Sequence, residues 1–148
     1  MVSGSGLADS LIAVLKAQSA SLFQTANISK NDFGILDTTP GASAYIVLPG
    51  PFTEDLASFG NPARQIPTYI LQVKAFLKDD GNPVTTINRV WQSELDIRGT
   101  LLADDTLSGS VMTAQLKRGG GWNGDTFVES GGNTWIPVDY EVEIMTIG

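Results

Sequence analysis

Residues 135–145, WIPVDYEVEIM, carry the clearest structural pattern in this chain. Apolar side chains alternate with polar ones, and the apolar set is Ile136, Val138, Tyr140, Val142 and Ile144. Successive side chains of a β-strand point to opposite faces. The alternation therefore predicts a strand with one buried face and one acidic, exposed face.

A second alternating segment lies upstream, over residues 69–78, and predicts another half-buried strand. It is followed by Asn82 and Pro83, an N-cap residue and a proline at the first helical position. The helix that they open is expected to end in the turn at residues 104–109. Its apolar stripe is expected to face the core and consists of Val84, Ile87, Val90, Trp91, Leu95, Ile97, Leu101 and Leu102.

The N-terminal half contains one further helix and one further strand. Apolar residues at helical spacing predict a helix that Ser5 caps and that fades over residues 23–27. Residues 27–41 are predicted to form a loop, and residues 42–48 a strand. Pro49-Gly50-Pro51 is expected to end this strand and to begin a long connection over residues 49–65.

These elements predict the fold class. Further strands are expected at residues 110–117 and 127–129, with a turn after the second. The order of elements indicates an α+β fold, with two amphipathic helices packed on a mostly antiparallel sheet of about four to five strands. The pattern shows no repeat and no internal linker, so residues 1–148 are expected to form a single domain.

The absence of histidine and cysteine limits the catalytic and metal-binding functions that this chain can have. The 148 residues include no histidine and no cysteine. Histidine is the usual general base near neutral pH, and both residues supply most transition-metal ligands. We therefore predict no catalytic residues, no metal site and no cofactor, and a protein that is not an enzyme.

The net charge of −7 bears on partners. An acidic domain repels the phosphate backbone and anionic membranes, so binding to either is not expected. The N-terminal segment lacks the basic start of a signal peptide, and no apolar run reaches the length of a membrane span. Synthesis in a cytoplasm is therefore expected.

Two pairs of neighbouring aspartates could suggest a metal or acid–base site. They are Asp79-Asp80 and Asp104-Asp105. Each pair stands beside glycine or serine where a predicted element ends, and aspartate is favoured there because its side chain accepts hydrogen bonds from the turn backbone. We interpret both pairs as turn residues.

Apolar residues in predicted loops are candidate contacts with a partner or a neighbouring subunit. Phe52, Leu56 and Phe59 lie in the long connection, and Trp122 lies in the glycine-rich segment 118–126. Such side chains either fold back on their own domain or pack on a neighbour, and the sequence leaves both possibilities open. On the last strand, Asp139, Glu141 and Glu143 form an acidic stripe whose mutual repulsion suggests a functional surface.

The order of these segments resembles the tail terminator and tail-completion proteins of long-tailed bacteriophages. The resemblance covers most of the chain and rests on pattern. The segments that carry it are LADSLIAVLKAQ, ASAYIVLPG, IPTYILQVKAFLK, NPVTTINRVWQSELDIRGTLLAD and WIPVDYEVEIMTIG.

This resemblance implies a tail-terminator-like fold and a structural role in the virion. Such proteins form a ring, commonly a hexamer, that caps the tail tube, ends its elongation and joins it to the head. The implied partners are further copies of the chain, the tail tube protein and the head–tail connector or neck protein. DNA would pass through without specific binding, and Asp139, Glu141 and Glu143 are candidate lumen-facing residues.

Three other functions are compatible with the sequence. The first is a head–tail adaptor or another minor virion protein, which would differ in location. The second is a small ligand- or carbohydrate-binding module that uses Trp91, Trp122 and Trp135 as stacking platforms, although Trp91 is expected in the core. The third is a metal-dependent enzyme, which the composition disfavours most.

Overall fold

A computed structural model describes residues 3–18, 22–23, 27–39, 41–56, 65–119 and 127–146. The side chains of residues 51–56, 65–67 and 118–119 are not described. In this part of the chain the helices are α1 (Gly4–Gln18), α2 (Ile35–Thr38) and α3 (Pro83–Ala103). The strands are β1 (Ile28–Lys30), β2 (Ser43–Leu56), β3 (Gln65–Lys78), β4 (Thr113–Gly119), β5 (Val128–Ser130) and β6 (Asn133–Met145).

All the described strands join one sheet in the order β1-β2-β3-β6-β4, with β5 paired to β6. The β1–β2 pair is parallel and the other pairs are antiparallel. The predicted α+β class with a mostly antiparallel sheet is confirmed. The segment of residues 27–41 was predicted to be a loop, but it contains the strand β1 and the helix α2.

The helix α1 differs from its prediction at both ends. Ser3, not Ser5, is the cap, because its Oγ accepts a hydrogen bond of 3.0 Å from the backbone N–H of Gly6. Its described part runs to Gln18, and residues 22–23 no longer belong to the helix, so it stops before the predicted range of residues 23–27. Its buried side chains are Leu7, Ala8, Leu11, Val14 and Leu15.

The prediction that Pro49-Gly50-Pro51 ends the strand is wrong, because β2 runs on to Leu56. A β-bulge takes up these residues, since Pro49 pairs with Leu71 and the next pair is Phe52 with Tyr69. β1 covers only residues 45–47 of β2, so the prolines lie on an edge where no neighbouring strand needs their missing N–H.

Beyond the bulge, β2 and β3 continue past the rest of the sheet. The β3–β6 ladder ends at the pair of Thr68 with Met145. Residues 54–56 and 65–67 pair only with each other in the described register, and we name them the β2–β3 extension. Much of the predicted long connection is therefore a two-stranded projection.

The main core lies between one face of the sheet and the helices α1 and α3. The apolar sets predicted for the strands at residues 69–78 and 135–145 both contribute to it, which confirms their assignment. On the opposite face α2 covers a smaller cluster, formed by Ile35, Leu36, Ala44, Ile46, Phe76 and Trp135. The strand β6 therefore packs on both sides near its start and on one side further along.

The helix α3 begins as predicted. The side chain of Asn82 accepts hydrogen bonds from the backbone N–H groups of Val84 (3.1 Å) and Thr85 (3.4 Å), and Pro83 occupies the first turn. Arg89 fixes the helix to the sheet by donating to the carbonyl of Lys78 at 2.6 Å. The residues that α3 buries are Thr86, Ser93, Ile97, Thr100 and Leu101.

Candidate functional site

The apolar stripe of α3 points away from the core. Five of its side chains are between 45% and 79% exposed, and we name them the outward face of α3: Val84, Ile87, Trp91, Leu95 and Leu102. The prediction that this set faces the core is wrong for these five, and Trp91 is not a core residue. The prediction of a core position is confirmed for Ile97 and Leu101, and Val90 is partly buried against the core.

The opposite face of α3 is buried although it carries hydroxyl groups. Thr86 donates to the carbonyl of Asn82, and Thr100 donates to that of Asp96, each within the helix. A hydroxyl group that donates to a carbonyl of its own helix can be buried at little cost in folding free energy. Thr86, Ser93 and Thr100 are spaced by seven residues and so share one side of the helix, but this spacing alone does not mark that side as the buried one.

One of these hydroxyl groups ties α3 to the sheet. Ser93 and Tyr140 of β6 share a short buried hydrogen bond, and the Oγ of Ser93 also contacts the carbonyl of Val90 at 2.8 Å. Burial raises the pKa of the Tyr140 hydroxyl above its ordinary value. The inner face of α3 is thus fixed by polar contacts as well as by packing.

The charges on α3 balance. The helix contains Arg89, Glu94, Asp96 and Arg98, so its net charge is zero in a chain of net charge −7. Arg98 pairs with Glu94 one turn away, and Arg89 pairs with Asp80 at 3.2 Å. The outward face therefore offers apolar contact with little electrostatic preference.

A groove of about 250 Å³ separates the C-terminal half of α3 from β4. Leu101 and Leu102 line one wall, and Ala114 and Leu116 line the other. The groove continues the apolar surface of α3 towards the edge of the sheet, because Leu102 belongs to both.

The sheet has two strand edges that are open over part of their length in the described region. Beyond Val47, β2 pairs only with β3, because β1 ends at Lys30. At the other end of the strand order, β4 pairs with β6, and the N–H of Ala114 is taken by the carbonyl of Asp105 at 2.6 Å. Open edges carry backbone groups that can pair with another chain.

The loop residues predicted as partner contacts cannot be placed in full. Phe52 and Leu56 lie in β2, but their side chains fall outside the described residues. Phe59 and Trp122 lie wholly outside the described residues. Their role in contacts stays a prediction.

The structure separates the two described tryptophans of the stacking hypothesis. Trp135 is fully buried in the cluster under α2, and its indole N–H donates to the carbonyl of Ser130 at 3.2 Å. Trp91 stands on α3, on the other side of the sheet. Trp91 and Trp135 therefore form no shared platform for a sugar ring.

The acidic stripe lies on the face of β6 that turns away from α1 and α3. Lysines on both flanking strands pair with it, Lys74 with Asp139 at 3.6 Å and Lys117 with Glu143 at 2.8 Å. Asp139 is exposed, whereas Glu141 and Glu143 are half-buried. Pairing with lysine reduces the self-repulsion that the sequence suggested, and only the strand register places these lysines there.

The paired aspartates form turns, as the sequence predicted. Asp79 and Asp80 each accept a hydrogen bond of 3.0 Å from a backbone N–H two residues on. Asp104 accepts from the backbone N–H and the hydroxyl of Ser108, and the first of these contacts holds its pKa below the ordinary value. The described residues contain no group of three or more side chains suited to hold a metal ion.

No protein-family model matches this chain, and no curated protein matches it significantly. No helix among the described residues is long and apolar enough to cross a membrane.

Proposed function

We propose that this chain is a structural virion protein of the phage tail–neck region. In this proposal its copies form a ring, commonly a hexamer, that caps the tail tube, ends tube elongation and joins the tube to the head connector. The order of helices and strands along the chain supports the tail–neck assignment through its resemblance to tail terminators. The composition, without histidine or cysteine, supports a structural role over a catalytic one.

One observation carries the ring. A closed ring needs two different surfaces on each subunit, because one subunit contacts the next head to tail. The sheet has open edges on β2, where the short β1 leaves it uncovered, and on β4 at the other side of the sheet. The β2–β3 extension lengthens the first of them beyond the body of the sheet. Backbone pairing between such edges would link one subunit to the next.

The face of β6 that carries Asp139, Glu141 and Glu143 is proposed to line the lumen. A net negative lining would let DNA pass without binding, because like charges repel. The pairing of Asp139 with Lys74 and of Glu143 with Lys117 weakens this field without reversing it. Glu141 lies between these two acids on the same face of β6 and adds to the negative lining.

The test removes the extension and leaves the sheet intact. Thr53 and Thr68 are cross-strand partners, so replacing residues 54–67 with Asn-Gly joins them by a two-residue hairpin turn. We expect the intact chain to form rings on purified tail tubes, seen by negative-stain electron microscopy. The shortened chain should keep its circular dichroism spectrum and lose the rings.

Rings that persist in the shortened chain would remove the extension from the interface. A chain that never binds tubes but binds the isolated head connector would favour the head–tail adaptor. Saturable quenching of tryptophan fluorescence by oligosaccharides would instead support a carbohydrate-binding module, for which Trp91 is an exposed candidate.

A further inference from the structure

The outward face of α3 takes no part in the edge contacts proposed above. Its members recur at intervals of three, four and seven residues, so they form one stripe along the helix. Thr86, Ser93 and Thr100 lie on the opposite, buried side, where Ser93 hydrogen-bonds to Tyr140 of the sheet. A row of five large apolar side chains in water is the kind of patch that marks an interaction surface.

Charge favours a second copy of this chain as the occupant. The chain carries a net charge of −7, so most of its surface repels another copy. The helix α3 is neutral, and its exposed Arg98 is already paired with Glu94. Contact along α3 therefore brings no net like charge together at the interface itself, while a strongly charged partner would find no matching charge there.

The stripe is also complementary to itself. When two copies of α3 run antiparallel with residue 93 of each at the centre, Val84 lies opposite Leu102 and Trp91 opposite Leu95. Large residues thus face large ones at these two levels of the stripe.

We propose that two copies of this protein pair through the outward faces of α3. The two helices run antiparallel, and the twofold axis crosses them at the level of residue 93 along the helix. This contact joins the same surface on both copies and cannot by itself close a ring. The inference rests on α3 alone and not on the proposed tail–neck function. A pair and a ring use different surfaces of the chain.

The size of the face sets the expected strength. The stripe from Val84 to Leu102 covers 18 helical steps, which is about 27 Å at 1.5 Å each. With a helix about 10 Å wide, each copy contributes roughly 300 Å². Stable interfaces bury about 800 Å² per partner, so the dimer should be weak, with a dissociation constant in the micromolar range or above.

Sedimentation velocity from about 1 µM to about 1 mM tests the pairing over this range of affinity. We expect a reversible monomer–dimer equilibrium. Leu95→Lys places a charge at the centre of the contact and should weaken dimerisation at least about tenfold. Met112→Lys is the matched control, because Met112 is an exposed apolar residue outside α3, and it should leave the dimer unchanged.

A cysteine cross-link tests the geometry. The chain has no cysteine, so an introduced thiol reports on one position only. Trp91 lies opposite Leu95 in the proposed register, so a mixture of Trp91→Cys and Leu95→Cys chains should form a disulfide-linked heterodimer under mild oxidation. Asp139→Cys, on the opposite face of the sheet, should not.

Three outcomes would overturn the proposal. They are a strict monomer at about 1 mM, an oligomer that Leu95→Lys leaves intact, and an oligomer sensitive to Leu95→Lys that the mixture of Trp91→Cys and Leu95→Cys does not cross-link. The last would mean that α3 docks on a different surface or a different partner. Dimers without rings on tubes would leave this inference standing and contradict the proposed function, and rings without dimers would do the reverse.

Discussion

Gly50 lies in the β-bulge and faces the backbone of β3 at Ile70. A Cβ atom at this position would lie 2.2 Å from the carbonyl oxygen of Ile70, which belongs to the backbone and cannot rotate away. We expect Gly50→Ala to lower the free energy of unfolding by about 1–3 kcal/mol, because the β2–β3 ladder must shift. Urea denaturation followed by circular dichroism measures this loss.

Gly41→Ala is the control for that measurement. A Cβ atom at Gly41 would find nothing within 4 Å, so the stability should change by less than about 0.5 kcal/mol. Equal effects at Gly41 and Gly50 would show that the close approach at the bulge is not what limits stability.

Single residues were predictable where the signal is local. Asn82 and Pro83 mark a helix start because the capping bonds reach only two or three residues along the chain. Gly50 was read as the end of a strand, since the carbonyl of Ile70 that explains it lies on another strand. The lysines that pair with Asp139 and Glu143 also come from other strands, so no local pattern shows them.

At the scale of the element, two adjacent leucines of α3 give a direct test of which way the helix faces. Leu101 is 2% exposed in the core and Leu102 is 79% exposed. Leu101→Ala should cost about 2–5 kcal/mol through lost burial and the cavity that remains. Leu102→Ala should change the unfolding free energy by less than about 0.5 kcal/mol.

Thermal and urea denaturation of both variants, at concentrations low enough to keep the chain monomeric, provide the comparison. The reverse ranking, with Leu102 the more costly position, would mean that α3 turns its apolar stripe inward as the sequence predicted. Equal, small losses at both positions would show that α3 does not pack on the sheet.

The existence of the long elements followed from periodicity, but the limits of α1 and β2 and the orientation of α3 did not. An apolar stripe predicts the buried face of a helix only when the opposite face is too polar to bury. Here the opposite face carries Thr86, Ser93 and Thr100, whose hydroxyl groups find acceptors in the helix itself or on Tyr140. Both faces could be buried, and the sequence alone did not decide between them.

At the scale of the whole molecule, two buried tyrosines predict the response to alkali. Burial raises the pKa of Tyr45 and of Tyr140 above the ordinary value of about 10. Below that pH both are neutral in the folded and the unfolded chain. As the pH rises further the unfolded chain loses protons first, so stability should fall by up to about 1.4 kcal/mol per pH unit for each tyrosine.

Urea denaturation between about pH 8 and pH 12 measures this slope. Tyr140→Phe should lower stability by about 1 kcal/mol at neutral pH, because the hydrogen bond to Ser93 is lost, and should reduce the alkaline slope. An unchanged slope in Tyr140→Phe would mean that the hydroxyl group is already open to solvent.

The place of β6 in the sheet has a consequence for biosynthesis. It is the last of the described strands in the chain, yet it lies between β3 and β4 and pairs with both. A nascent chain that lacks it can form the β2–β3 hairpin, but β4 has no neighbour to join. Formation of the sheet must therefore wait for residues 133–145, and a chain truncated before them should be degraded or aggregate rather than assemble.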